Sequence, residues 1–194
     1  MAIYELVLPV QDEQVARLKV GDQVYISGDL YTARDMAHLE IKHLLEKNQP
    51  LPRDLKGKAI FHAGPVMRQV GDGWEIVVIG PTTSIRMEPY AEMVGELGIK
   101  LIIGKGGMAD ASKAAFQKYK QVYLQAAPGC AVQLAAAVKK VLGCTWIEKG
   151  MPEAMWAMEV DRMGPFIVTM DSSGDSRYDT VRDGATKRIA EIYG

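Results

Sequence analysis

The sequence is short of cysteine, of histidine and of any excess of one charge, and each shortage removes a class of protein. Two cysteines, Cys130 and Cys144, are too few for a disulfide framework or a cysteine-built cluster, and they read as small buried thiols. Among the three histidines, His38 and His43 stand five apart, not at the i, i+4 spacing of a helical zinc pair. Lys and Arg number 23 against 24 Asp and Glu, a formal charge of −1, so no global field draws nucleic acid or a membrane surface. No run approaches the roughly 20 apolar residues of a membrane span. The start, "MAIYELVLPVQDE", lacks the basic segment and long apolar run of a secretory signal. A reducing cytoplasm is the expected compartment. No GxGxxG follows a strand-like run, and in "GKGGMADAS" the lysine precedes the glycine pair, which is not P-loop order.

What is present is an ordinary globular composition, 48% apolar over 194 residues, enough for one domain over 1–194 with a buried core. "IYELVL" alternates as a strand. A turn at Gly21-Asp22, a strand over Gln23–Ser27 and a turn at Gly28-Asp29 follow, giving the first third a hairpin-like look. The pattern then predicts a helix from about Asp35 to Lys47, with Met36, Leu39, His43 and Leu44 on related faces. "AIFHAGPVM" reads as a strand closed by Gly64-Pro65, with His62 a hydrogen-bonded core residue, and "VGDGW" as a tight turn.

The middle is more regular. "WEIVVIGPTTSIRMEPYAEMVGELG", "IKLIIGKGGMADASKAAFQKYK" and "QVYLQAAPGCAVQLAAAVKKVLG" each read as strand, junction, amphipathic helix. Three consecutive βα units imply a parallel sheet with right-handed crossovers, so the expected class is α/β. A short helical segment, a strand over Phe166–Met170 and a polar helix within 176–194 complete the chain.

In such a sheet, ligands gather outside the carboxyl ends of the strands. Three junctions meet there: "GPTTSIR", "GKGG" and "AAPGC". Free N–H groups at helix starts favour an anion, and Arg86 offers a planar fork and Lys105 a point charge. Capping accounts for one hydroxyl of Thr82, Thr83 and Ser84, with Thr83 or Ser84 the expected cap, since only one residue occupies the capping position. Thr82 and Arg86 are surplus to it. A second cluster, Thr32, Arg34, Asp35 and His38, surrounds the start of the first long helix, where Arg34 beside Asp35 reads equally as a local ion pair.

The motifs "GPTTSIRMEPY", "SGDLYTARDMAH", "HAGPV" and "GMPEAMW" resemble the β subunit, or C-terminal domain, of the class I iron–sulfur-dependent hydro-lyases, over about residues 5–175. That family comprises class I fumarases and L(+)-tartrate dehydratases. The resemblance implies a swivelling β/β/α domain and reversible addition of water to a dicarboxylate double bond. Fumarate to L-malate is the leading reaction and L-tartrate the alternative. It implies a partner α subunit holding a [4Fe–4S] cluster through three cysteines, with none bound by this chain and an open iron that takes substrate. The implied assembly is a hetero-oligomer of α2β2 type, a homodimer of the isolated chain being the alternative. Carried over, substrate binding falls on Arg34, Arg86 and Thr83, catalysis on Thr82 and Lys105, and support of Arg34 on Asp35 and His38. After Lys105 many members continue Asn-Arg-Ser, where this chain has glycines. A stand-alone anion-binding module is the reading from another class.

Overall fold

The computed structural model describes residues 1–193. Three short, largely apolar runs form its parallel centre: β3 (Ala59–Phe61), β6 (Leu101–Gly104) and β7 (Val122–Gln125). They pair in register, Ala59 with Leu101 and Leu101 with Val122. On one side β3 pairs in parallel with β2 (Gln23–Thr32), which also carries β1 (Ile3–Val7). A 16-residue strand, β9 (Met155–Met170), runs antiparallel to both β2 and β7. Strands β2, β3, β6, β7 and β9 thereby close into a ring, with β1 and β8 (Val138–Thr145) splayed from it.

Period-two alternation sorts the side chains into two cores. Phe61, Ile103, Leu124, Phe166 and Val168 point into one, while Ile60, Ile102, Tyr123 and Ala157 face the other. The second core includes Ile41 of α2 (Asp35–Glu46), Val94 of α3 (Ala91–Glu96) and Phe116 of α4 (Asp110–Tyr119). Strands buried on both faces read as continuous apolar runs, which is why β6 and β7 stand out in the sequence.

Several expectations need correction. The first third is not a hairpin: β1 lies parallel to β2, and α1 (Asp12–Ala16) lies between them in the chain. Gly28-Asp29 is no turn, because β2 runs straight through it. Gly28 sits at φ +102 at the close of the second of two register shifts against β9, and a Cβ there would stand 2.9 Å from the Leu8 carbonyl oxygen, so the glycine serves a bulge and a close approach. The buried face of α2 is Ala37, His38 and Ile41 rather than the face through Met36 and His43. The first of the three βα units is not in the parallel sheet. Its strand β5 (Gly73–Val78) forms a separate hairpin with β4 (Val66–Val70), and its helix begins as a 3-10 turn over Ser84–Tyr90 containing Pro89. Proline has no N–H for the α ladder. The third helix, α5 (Ala131–Ala136), stops early because Val138 onward pairs with β9, tertiary pairing overriding the helix preference of alanine and lysine. β9 begins eleven residues before the expected Phe166, absorbing "MWAMEVDRMGP". The terminal helix, α6 (Arg177–Tyr193), is mainly polar and has no fully buried residue; Gly194 lies outside the described residues. No described helix is long and apolar enough to cross a membrane.

Candidate functional site

At the carboxyl ends of β3 and β6 the hydroxyl-rich segment acts as an extra strand. The Thr82 N–H donates to the His62 carbonyl at 2.7 Å, Lys105 N–H to the Thr82 carbonyl at 3.2 Å, and Ser84 N–H to the Lys105 carbonyl at 3.0 Å. Ala63 bridges Pro81 and Thr83 bridges Lys105. Thr82 and Lys105, 23 positions apart, are thus main-chain neighbours. Both are half-buried, and Thr83 is exposed.

This geometry revises the expected chemistry of the junctions. The amides of Thr82, Ser84, Lys105 and Ala126 all donate to carbonyls of the chain, and Gly106 N–H donates to Gln125 Oε1 at 3.2 Å. Those five donors are not free for an anion, so side-chain cations carry that capacity. Nor does a hydroxyl cap the 3-10 turn: Thr83 is its N-cap residue without a capping bond, and the Ser84 side chain is directed elsewhere.

The cations arrive from separate elements. Arg34 closes the β2–α2 loop and is tied not to neighbouring Asp35 but to Glu153, Nη2 to Oε1 at 2.9 Å. Glu153 also accepts from Met36 N–H at 3.2 Å, placing a carboxylate at the positive end of α2. Arg34 Nε is buried without a partner, and the guanidinium lies so near Gly64 that a Cβ there would be 2.6 Å from Nη1. Arg86, 48% exposed, grips Asp35 with both arms of its fork: Nε to Oδ1 at 3.1 Å, and Nη2 to Oδ2. Asp35 therefore pairs with Arg86, not Arg34, and joins the two arginine-bearing segments. His38 touches Arg34 through the backbone, its Nδ1–H donating to the Arg34 carbonyl at 2.8 Å. Each of the two arginines holds a carboxylate of the chain itself.

The fumarase C-terminus family model matches residues 3–181. This chain belongs to that family. Relatives of the fumarase C-terminus chain include a protein of Methanocaldococcus jannaschii named "Putative L(+)-tartrate dehydratase subunit beta", 47% identical over 184 residues covering 94% of each chain. The L(+)-tartrate dehydratase subunit beta of Escherichia coli K12 is 43% identical over 172 residues, 88% of this chain and 84% of its own. A Geobacillus stearothermophilus protein named "Putative fumarate hydratase class I" is 39% identical over 98% of this chain, which spans 36% of that longer protein. The residues of this fumarase C-terminus chain do not fit the iron–sulfur cluster that the resemblance implies. Among the described residues no three His, Cys, Asp or Glu side chains converge on a metal position. Cys130 and Cys144 are half-buried rather than core thiols, and burial pushes Cys144 up to about 11, away from the thiolate a cluster binds.

Sequence reasoning named His38 and His62 but passed over the bonds that join His62 and Tyr123 to Ser84. His62, read as a hydrogen-bonded core residue, holds Ser84 Oγ at 2.9 Å from Nδ1, and the Tyr123 hydroxyl donates to the same Oγ at 2.8 Å. The rings of His38 and His62 meet edge-on at 5.4 Å, and Tyr90 stacks on His38 at 5.2 Å. Glu153 had one signal, its place in the quoted "GMPEAMW". Ser84 and Tyr123 had none, because a cap and a strand aromatic explain them locally.

Both histidines are neutral. Burial lowers His38 to about 4, and burial with the nearby His38 holds His62 well below its ordinary value. The unfolded chain takes up these protons near pH 6.5, the folded chain only at lower pH. Stability is therefore complete above about pH 6.5 and is lost as the pH falls towards 4, at up to ~1.4 kcal/mol per pH unit for each histidine. Thermal melts from about pH 7.5 to 4.5 are expected to hold steady and then drop steeply below 6.5. A midpoint independent of pH across that range contradicts the neutral assignment.

Proposed function

We propose that this chain is the β subunit of a two-subunit hydro-lyase that reversibly adds water to, or removes it from, a four-carbon dicarboxylate. What supports the reading is that main-chain bonds join Thr82 to Lys105 and that the Arg86–Asp35 pair joins the Arg86 segment to the one bearing Arg34, in a chain of this family. A dianion leaves water only where several cations replace its hydration. Arg86 releases Asp35 and takes one substrate carboxylate in the same bidentate geometry; Arg34 and Lys105 receive the other end, with Thr83 at the rim. Removing a proton beside a carboxylate builds negative charge, which the fixed cations stabilise more than they stabilise the ground state. Thr82 is the residue poised to carry that proton, with the Lys105 ammonium lowering the cost of its ionised hydroxyl.

The [4Fe–4S] cluster belongs, in this reading, to an α subunit onto which the present chain swings as a lid. Fumarate and L(+)-tartrate stand side by side as substrates. The relatives named for tartrate match along nearly their whole length, while the one named for fumarate hydratase carries this chain as part of a longer protein. The deciding experiment is co-expression with a candidate α subunit, anaerobic reconstitution, and assay of fumarate, L-malate and L-tartrate. Turnover is expected only from the pair, with one substrate preferred. Activity of this chain alone without iron sinks the two-subunit reading.

A further inference from the structure

Ser84 is fully buried, it does not cap the turn it opens, and Gly104 beside it has no side chain. A Cβ on Gly104 would fall 1.9 Å from Ser84 Oγ and 3.0 Å from the Tyr123 hydroxyl oxygen. An unpartnered hydroxyl in such a place is destabilising, yet Ser84 Oγ has two partners. Tyr123 donates to Oγ at 2.8 Å, and the same Oγ shares a hydrogen bond with His62 Nδ1 at 2.9 Å.

We propose that Ser84, held by His62 and Tyr123, is the positioning residue that sets Thr82 and Lys105 in register. Two closed loops of bonds produce this. In one, Ser84 Oγ binds the His62 ring while the His62 carbonyl accepts the Thr82 amide. In the other, the Ser84 amide binds the Lys105 carbonyl while the Lys105 amide binds the Thr82 carbonyl. The serine is thus the one side chain that fastens the Thr82–Ser84 segment to β3 through His62 and to β7 through Tyr123. Without it the segment keeps only its edge-strand bonds, and the distance from the Thr82 hydroxyl to the Lys105 ammonium is free to vary. The catalytic consequence rests on the proposed function, whereas the positioning itself does not.

The test compares Ser84→Ala with Ser112→Ala. Ser112, on α4, is equally buried, but its hydroxyl bonds Glu88 of the 3-10 turn and makes no bond to His62, Tyr123, Thr82 or Lys105. In the full chain, amide hydrogen exchange at Thr82 and Lys105 is expected to quicken about tenfold in Ser84→Ala, consistent with one lost hydrogen bond, and to stay unchanged in Ser112→Ala. Tyr123→Phe, which keeps the ring and removes the donor, is expected to quicken the same two amides to a smaller extent, and it carries the test where Ser84→Ala does not fold. In the reconstituted two-subunit enzyme, Ser84→Ala is expected to lower kcat about tenfold with KM within about twofold. Unchanged exchange at both amides, or equal quickening of all amides in both serine variants, overturns the positioning role. Quickened exchange with unaltered kcat overturns its bearing on turnover. A wild-type pair inactive on every dicarboxylate defeats the proposed function and leaves the exchange result to decide the clamp.

Discussion

Arg86→Ala is expected to lower kcat/KM of the reconstituted enzyme by about 10²–10³-fold, the usual range for removing one charged donor aimed at developing charge. The expectation comes from the fork. Its two arms hold Asp35 as they would hold a substrate carboxylate, and no other described guanidinium contacts that position. Arg86→Lys should recover a minority of the activity, since an ammonium keeps the charge but not the bidentate geometry. Stability should barely move. The pair is exposed, 48% at Arg86 and 32% at Asp35, and exposed pairs contribute about 0–1 kcal/mol. The measurement is steady-state kinetics beside a melt and an assembly check. Turnover close to wild type in Arg86→Ala refutes the substrate role. Lost turnover with lost assembly makes the arginine an interface residue instead.

Gly104→Ala is the second large effect, and it falls on the fold and the site together. The added methyl cannot share space with Ser84 Oγ, whose neighbours are the Tyr123 hydroxyl and the His62 ring. Overpacking and broken buried hydrogen bonds together give a loss of about 3 kcal/mol, or roughly 6–12 °C in Tm at this chain length. Survivors should also show weakened turnover, because the displaced serine is the clamp on Thr82 and Lys105. A melt within about 2 °C of wild type contradicts this packing. The change differs from Gly71→Ala at the hairpin turn, where an added Cβ meets nothing within 4 Å and only the positive φ of +58 resists it.

Much of the candidate site was readable before the fold was known, because its cations sit in short motifs. "YTARD", "TTSIRM" and "GKGG" each carry a charge that turn chemistry does not require. The electrostatic partners were not readable. Asp35 stands next to Arg34 in sequence but binds Arg86, and Arg34 binds Glu153 from the far end of the chain. The expected anion cradle of backbone amides was also wrong for the five amides whose carbonyl or side-chain partners lie on other strands.

The sequence by itself determined the buried parallel strands, the βα order of β6–α4, the small-residue junctions and the cationic residues at them. These follow from local patterns: apolar runs too short for helices, glycines where chains turn, and charges with no nearby reason to be there. Only the tertiary structure decided that β5 leaves the parallel sheet and that "AVKKVLG" turns from helix to strand. It alone decided that Ser84 is a clamp rather than a cap. The physical reason is the same in each case. The deciding contacts join residues far apart in the chain, such as Tyr123 and Ser84 at a separation of 39, and local propensity is weaker than the burial and hydrogen bonding those contacts supply.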